Sequence, residues 1–376
     1  MSRDPQRSTP PPARPNPETG APPVSTYNEW DPLEEVVVGI VEDALVPPWD
    51  DIMPAVVHDK RTWDYFKLWG GSRWPAEQLK KAEADIEAFV HILESEGVRV
   101  RRPERFAWEK PIATPDWSLP SSLYALMPRD VLLIVGDLIV EAPMGWRSRY
   151  FEHLAYKSLC KEYWAGGAQW LSAPRPQLSD ESYDQGFVPM EEGEPQRFLP
   201  TEFEPLFDAA DFIKCGRDLF AIRSSCTNAT GIEWVRRTLG PDYAVHEVEH
   251  YDTHPMHIDA TFYPLAPGKL LINPERIKAV PPMFEQAGWE VLTCPPPQMP
   301  ESHPMYNCSR WIMMNVLMLD EKRIVVSKGE DEFVRQLKKW GFEPIECPFW
   351  DFETIGGGFH CATVDVRRTG TLQSYF

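Results

Sequence analysis

No two cysteines in this sequence form a CxxC pair, and no apolar run approaches the length of a bilayer span. The seven cysteines, at 160, 215, 226, 294, 308, 347 and 361, are odd in number and fit neither a disulfide framework nor a zinc ribbon. A reducing compartment is therefore expected, with cytoplasmic localisation. An apolar signal-peptide core is also missing. Basic charge is scarce: 38 Lys and Arg stand against 57 Asp and Glu, a formal net charge of −19. That argues against nucleic acid or an anionic membrane as the main partner, since phosphate binding needs a basic surface. A negative field suits cationic small molecules, guanidinium and amine compounds among them.

What is present supports a large core. Of the 376 residues, 43% are hydrophobic, and 15 tryptophans and 39 prolines point to rigid, irregular loops over aromatic packing. Residues 1–25 are dominated by proline, small and polar residues and are expected to be a disordered tail. Residues 26–376 are expected to form one catalytic domain.

From Glu34 onward a pattern recurs five times. Two short apolar strands are followed by an amphipathic helix, then by a strand that usually runs into proline. The first module is split across the termini, with hairpin partners near 34–39 and 361–366 and a helix over 75–96. Helices are expected over 148–164, 227–239, 282–287 and 330–340 in the others. Each unit exposes an apolar face that it cannot bury alone, so the units should pack on one another. The predicted fold is an α/β five-bladed propeller with pseudo-symmetry. A doubly wound sheet is the competing reading. Hairpin signals such as Gly136-Asp137 and Gly216-Arg217 argue against an all-parallel sheet.

The stretch Gly356-Gly357-Gly358-Phe359-His360-Cys361 places a thiol where a flexible loop meets a strand-like run. The cysteine is expected to open that strand. Other candidates fall at corresponding places in the repeat. Asp116 precedes the second hairpin, Asp208 the third, His257 and Asp259 the fourth, and Cys308 and Ser309 the fifth. In a ring of blades these loops converge. A cysteine nucleophile needs a proton carrier, which His257 supplies, with Asp208 orienting the imidazole. Asp116 and Asp259 suit a planar cation, because guanidinium donors match carboxylates two at a time. Arg276 suits a substrate carboxylate. No metal is expected: the histidines from 246 to 257 match no helical zinc spacing. His250 and Asp211 are read as ordinary loop or turn residues. The acidic stretch 179–204 is read as a solvated loop or a lid.

These residues together resemble the arginine:glycine amidinotransferase family. The match runs from Tyr27-Asn28-Glu29-Trp30-Asp31 to Gly370-Thr371-Leu372-Gln373-Ser374-Tyr375, and includes Met127-Pro128-Arg129-Asp130, Trp146-Arg147-Ser148-Arg149 and Gly356 to Cys361. The resemblance implies the five-bladed pentein fold. It also implies catalysis by Cys361, His257 and Asp208. Asp116, Asp259, Arg276, Cys308 and Ser309 are then implied to bind L-arginine. It implies a ping-pong transfer of the amidino group to a small amine, glycine being favoured, without a cofactor and in a homodimer. Two positions depart from the glycine-specific pattern, Cys308 in place of serine and His254 in place of asparagine. His254 and the retained Met256 are the specificity candidates. The alternatives are transfer to a different amine and hydrolysis of arginine.

Overall fold

The computed structural model describes residues 22–57 and 59–376, and the predicted repeat is there as five three-stranded sheets. Blade one joins Thr363–Arg368, Leu33–Val38 and Arg99–Arg101. Blade two holds Leu132–Val135, Leu138–Glu141 and Gln169–Ser172, and blade three holds Phe212–Cys215, Asp218–Ala221 and Ala244–Glu247. Blade four is Phe262–Ala266, Lys269–Ile272 and Glu290–Thr293; blade five is Leu317–Met318, Arg323–Ser327 and Glu343–Cys347. In every blade two strands pair antiparallel and the third joins in parallel register. A tight turn closes an antiparallel pair, and Gly136 and Gly216 take the positive φ this requires, 60° and 69°. A parallel pair needs a crossover, which the helices provide.

Those helices form where the apolar spacing is helical. Ala76–Ser95 buries Ala82, Ile86, Phe89, Val90 and Leu93 on one face. Asp331–Lys339 buries Phe333, Val334 and Leu337. Ala229–Leu239 starts where the Asn228 side chain accepts from the Gly231 amide at 2.8 Å, and ends at Gly240. The innermost strands of blades two, three and four are buried throughout; blades two and four read there as continuous apolar runs, while blade three buries Lys214 against Glu29. Removing one fully buried side chain such as Phe89 is worth about 3–5 kcal/mol.

Hydrogen bonds and an ion pair link each blade to the next and close the ring. Arg129 donates to Asp365 (2.7 Å) between blades one and two, and Arg149 lies 3.5 Å from Asp208 between two and three. The His257 amide donates to Asp211 (3.0 Å) between three and four, and the Tyr263 hydroxyl donates to the Val316 carbonyl (3.2 Å) between four and five. The Leu33 amide donates to the Leu319 carbonyl (2.9 Å) and returns the ring to blade one. A buried ionic network of Glu29, Arg129, Lys214, Asp365 and Arg368 fastens blades one, two and three to the N-terminal segment. Among the described residues no helix is long and apolar enough to cross a membrane.

Three expectations change. The helix predicted over 148–164 starts only at Lys157; Arg147–Arg149 and Glu152–Tyr156 form 3₁₀ turns that bury the Arg149 guanidinium. The tail predicted over 1–25 ends earlier, since Val24 and Ser25 are buried and the Ser25 amide donates to the Val366 carbonyl; residues 1–21 lie outside the described residues. Cys361 does not open a strand. It sits in the turn before Thr363, held by side-chain bonds.

Candidate active site

The segments leading into the blades converge on one cleft. Its lining includes Cys361 from blade one, Met127 from blade two, Met256, His257, Asp259 and Arg276 from blade four, and Cys308, Ser309 and Asn315 from blade five. Asp208 from blade three is fully buried behind His257.

His257 is placed by strain. Its backbone has φ 64° and ψ 134°, an unusual conformation for a side-chain-bearing residue. The Asp211 carboxylate holds it there by accepting from its amide at 3.0 Å. Ser224 and Thr227 donate to the same carboxylate. Asp211 was expected to be a turn residue; it supports the backbone of His257. Burial pushes its carboxyl up to about 7.

The imidazole then faces three groups. Its Nε2 lies 3.4 Å from Asp208 Oδ2, and its Nδ1 lies 3.8 Å from Cys361 Sγ and 3.7 Å from Asp130 Oδ1. Burial alone lowers the His257 pKa, but Asp130, Asp208 and Cys361 reverse this and hold it well above its ordinary value. Burial, with Asp259 and Asp130 facing the sulfur, pushes the Cys361 thiol up to about 12 against the pull of His257. Asp259 Oδ2 sits 3.8 Å from that sulfur. Burial raises the Asp259 pKa, but the His360 bond at 2.7 Å together with the charges of His360, His257 and Arg129 outweighs it, so Asp259 remains below the usual carboxylate range. Burial pushes the Cys308 thiol up to about 12 as well.

Asp116 is not brought to this cleft. It is exposed at the turn of a small hairpin, Ile112–Ala113 with Ser118–Leu119, where its amide is bonded to the Thr114 hydroxyl. The acid that blade two does send in is Asp130. It lies just before Leu132–Val135, as Asp259 lies just before Phe262–Ala266. The sequence reading quoted Met127-Pro128-Arg129-Asp130 without assigning its acid a role; the signal was its place directly ahead of an inner strand. Asp130 Oδ2 accepts from Arg149 at 2.8 Å, whereas its buried Oδ1 has no hydrogen-bond partner among the described residues. A buried carboxylate oxygen without a donor is costly, and a guanidinium N–H aimed at it removes that cost.

At the other end, Arg276 donates to Ser309 Oγ at 2.6 Å and pairs with Asp252 at 3.0 Å. Met256 lines the cleft, but His254 does not. The His254 amide donates to Asp252, one residue behind Arg276. His250 was read as a loop residue and is buried, its Nε2 bonded to the Arg223 carbonyl at 2.8 Å. Donor atoms of Asp130, His257 and Cys361 lie within 4.8 Å of one another, a spacing that suits a small cation. The sequence expectation for this cleft was no metal, and a substrate guanidinium offers the same charge.

A five-bladed ring that brings a cysteine, a histidine and several carboxylates to one cleft defines an enzyme of the pentein class acting on guanidino compounds. No protein-family model matches the chain. It is 50% identical over 94% of its length to an L-arginine:L-lysine amidinotransferase of Pseudomonas savastanoi pv. phaseolicola, covering 96% of that protein. It is 47% identical to the mitochondrial glycine amidinotransferase of Danio rerio over 96% of its length and 87% of the relative's. Among solved structures, an amidinotransferase of saxitoxin biosynthesis from Microseira wollei superposes with a TM-score of 0.90 at 45% identity, over 94% of this chain and all of the other. The chain belongs to the amidinotransferase family and is a transferase of one-carbon groups.

Proposed function

We propose that the chain takes the amidino group of L-arginine onto Cys361 and passes it to glycine, releasing ornithine and then guanidinoacetate. The observation that carries the donor reading is the unsatisfied Asp130 Oδ1, set with Asp259 about the Cys361 sulfur. Two buried carboxylates around a nucleophile suit a planar cation that presents paired N–H groups. Arg276 and Ser309 supply the opposite end with donors for an α-carboxylate.

In the first half-reaction Cys361 Sγ passes its proton to His257 and bonds to the guanidinium carbon. The bond from that carbon to the arginine side-chain nitrogen breaks, and His257 gives that nitrogen its proton. Ornithine leaves, and an amidino group remains on the sulfur. In the second half the acceptor nitrogen bonds to that carbon, His257 takes the amine proton, and the electron pair of the C–S bond returns to sulfur. The free thiol is held protonated by its surroundings. An incoming cation beside Asp130 and Asp259 offsets the charges that hold it so, and lowers the cost of the thiolate at the moment it is needed.

The acceptor is tested by incubating the protein with L-arginine and a panel of amines and reading products by mass. Guanidinoacetate as the main product, with ornithine in equal amount, is expected. A second acceptor reading, lysine, is favoured by the 50% identity to an enzyme named for it. An amidinated lysine without guanidinoacetate would replace glycine by lysine and leave the donor half intact.

A further inference from the structure

One residue of the cleft has no role in the scheme above, yet it touches the sulfur. Asn315 is buried and directly precedes the inner strand of blade five, Leu317–Met318. Its Oδ1 accepts from the Cys361 amide at 2.9 Å, and its Nδ2 lies 3.1 Å from Cys361 Sγ. The backbone amide of Cys361 can only donate, so it fixes which end of the Asn315 side chain is oxygen. The other end is therefore NH₂, and it points a donor at the nucleophile. The Asn315 carbonyl also accepts from the His360 amide at 3.4 Å, which ties the same residue to the turn from a second side.

We propose that Asn315 is a catalytic hydrogen-bond donor that stabilises the Cys361 thiolate, both before attack on arginine and as it is expelled by the acceptor. The reading rests on the cysteine mechanism proposed above and adds a residue to it. Sulfur accepts a hydrogen bond well as a thiolate and poorly once it is bonded to the amidino carbon. The Nδ2 contact is therefore stronger at the two moments when negative charge is on sulfur than in the covalent intermediate between them. Interactions that strengthen as charge develops are the ones that raise rate. The other groups facing this sulfur are His257, Asp130, Asp259, Cys308 and Tyr124. Of these only His257 supplies a cationic donor, and it must also move protons. Asn315 gives a donor that does not titrate.

The glycine stretch supports the same assignment. Gly358 does not have positive φ, so backbone conformation is not its reason. A Cβ there would stand 2.8 Å from Asn315 Cβ, and 2.9 Å from both its carbonyl oxygen and Oδ1. The loop has glycine at 358 because the Asn315 clamp occupies the space a side chain would need.

The test compares wild type with Asn315→Asp, Asn315→Ala and Gly358→Ala, each first shown to melt cooperatively. Asn315→Asp keeps size and planarity and still accepts from the Cys361 amide, but it turns an oxygen toward the sulfur. Two quantities are read: the steady-state kinetics with arginine, and the rate of Cys361 alkylation by iodoacetamide across pH without substrate. The expected result is a fall in kcat of about 100-fold for the Asn315 variants, as for the loss of one donor to developing charge. KM for arginine should stay within a few-fold of wild type. The alkylation profile should move about one pH unit upward, tenfold slower at a given pH. A merely structural Asn315 leaves the profile of Asn315→Ala in place, so a wild-type profile in that folded variant, which removes the donor without adding a charge, overturns the proposal. Alkylation needs no arginine, so it judges Asn315 separately from the transfer reaction. Absence of an amidino adduct on wild-type Cys361 after arginine would sink the mechanism and leave the alkylation comparison standing.

Discussion

The two ends of the cleft are built differently. At the reacting end, Cys361, Asp130, Asp208, Asp259 and Asn315 are almost wholly buried, and each is held by a partner from another blade or turn. At the anchoring end, Asn307, Cys308 and Ser309 are only partly buried and follow a stretch without helix or strand. Arg276 is the most firmly held group there, through Asp252 and Ser309. The reacting end performs one chemical step that all amidino donors share, so its geometry is over-determined. The anchoring end meets whatever else the substrates carry, and a less constrained wall can change without disturbing the chemistry. Chains about half identical to this one include enzymes named for lysine and for glycine.

The comparison can be broken from the reacting end first. Cys361→Ala should lower activity by at least about 10⁴-fold, the scale for loss of a covalent nucleophile, and abolish the amidino adduct. Intact mass after arginine addition checks this, and a surviving adduct would place the nucleophile elsewhere. Asp130→Asn should cost about 100-fold in kcat/KM for arginine, roughly 3 kcal/mol, because it removes one charge from the carboxylate pair. Asp116→Asn should leave kcat/KM within about twofold, since that carboxylate is on the surface. A reversed pattern at 116 and 130 would refute the assignment made from geometry. At the anchoring end Arg276→Gln should raise KM for arginine about tenfold or more with a smaller change in kcat, the pattern of lost ground-state binding. Cys308→Ser should have the smaller effect of the two, a few-fold change in the ratio of glycine to lysine use. An equal loss with both acceptors would move Cys308 from acceptor choice to general catalysis.

Much of this was legible in the sequence, for particular reasons. The hairpin–helix–strand order left its periodicity in every module, and the positions of Asp208, His257, Asp259 and Cys361 followed from where that order places loops. Asp116 misled because two acids precede the second hairpin, and the two-residue strands around 116 are too short to show any period. The 3₁₀ turns before Lys157 were taken for helix because repeats of three and of 3.6 look alike over a few residues. Asn315 left no mark, since an uncharged amide in an apolar stretch gives neither a charge nor a motif signal. The support that Asp211 gives His257 is visible only when two blades meet.

Blade one is assembled from both ends of the chain, with Leu33–Val38 lying between Arg99–Arg101 and Thr363–Arg368. Cys361 arrives in the turn just before the last of these strands. In chain order Asp130, Asp208, His257, Asp259 and Arg276 all come before Cys361, and blade one is incomplete until the strand that follows Cys361 joins it. The cleft therefore receives Cys361 only through the pairing that joins the two terminal regions of the described chain, Leu33–Val38 with Thr363–Arg368.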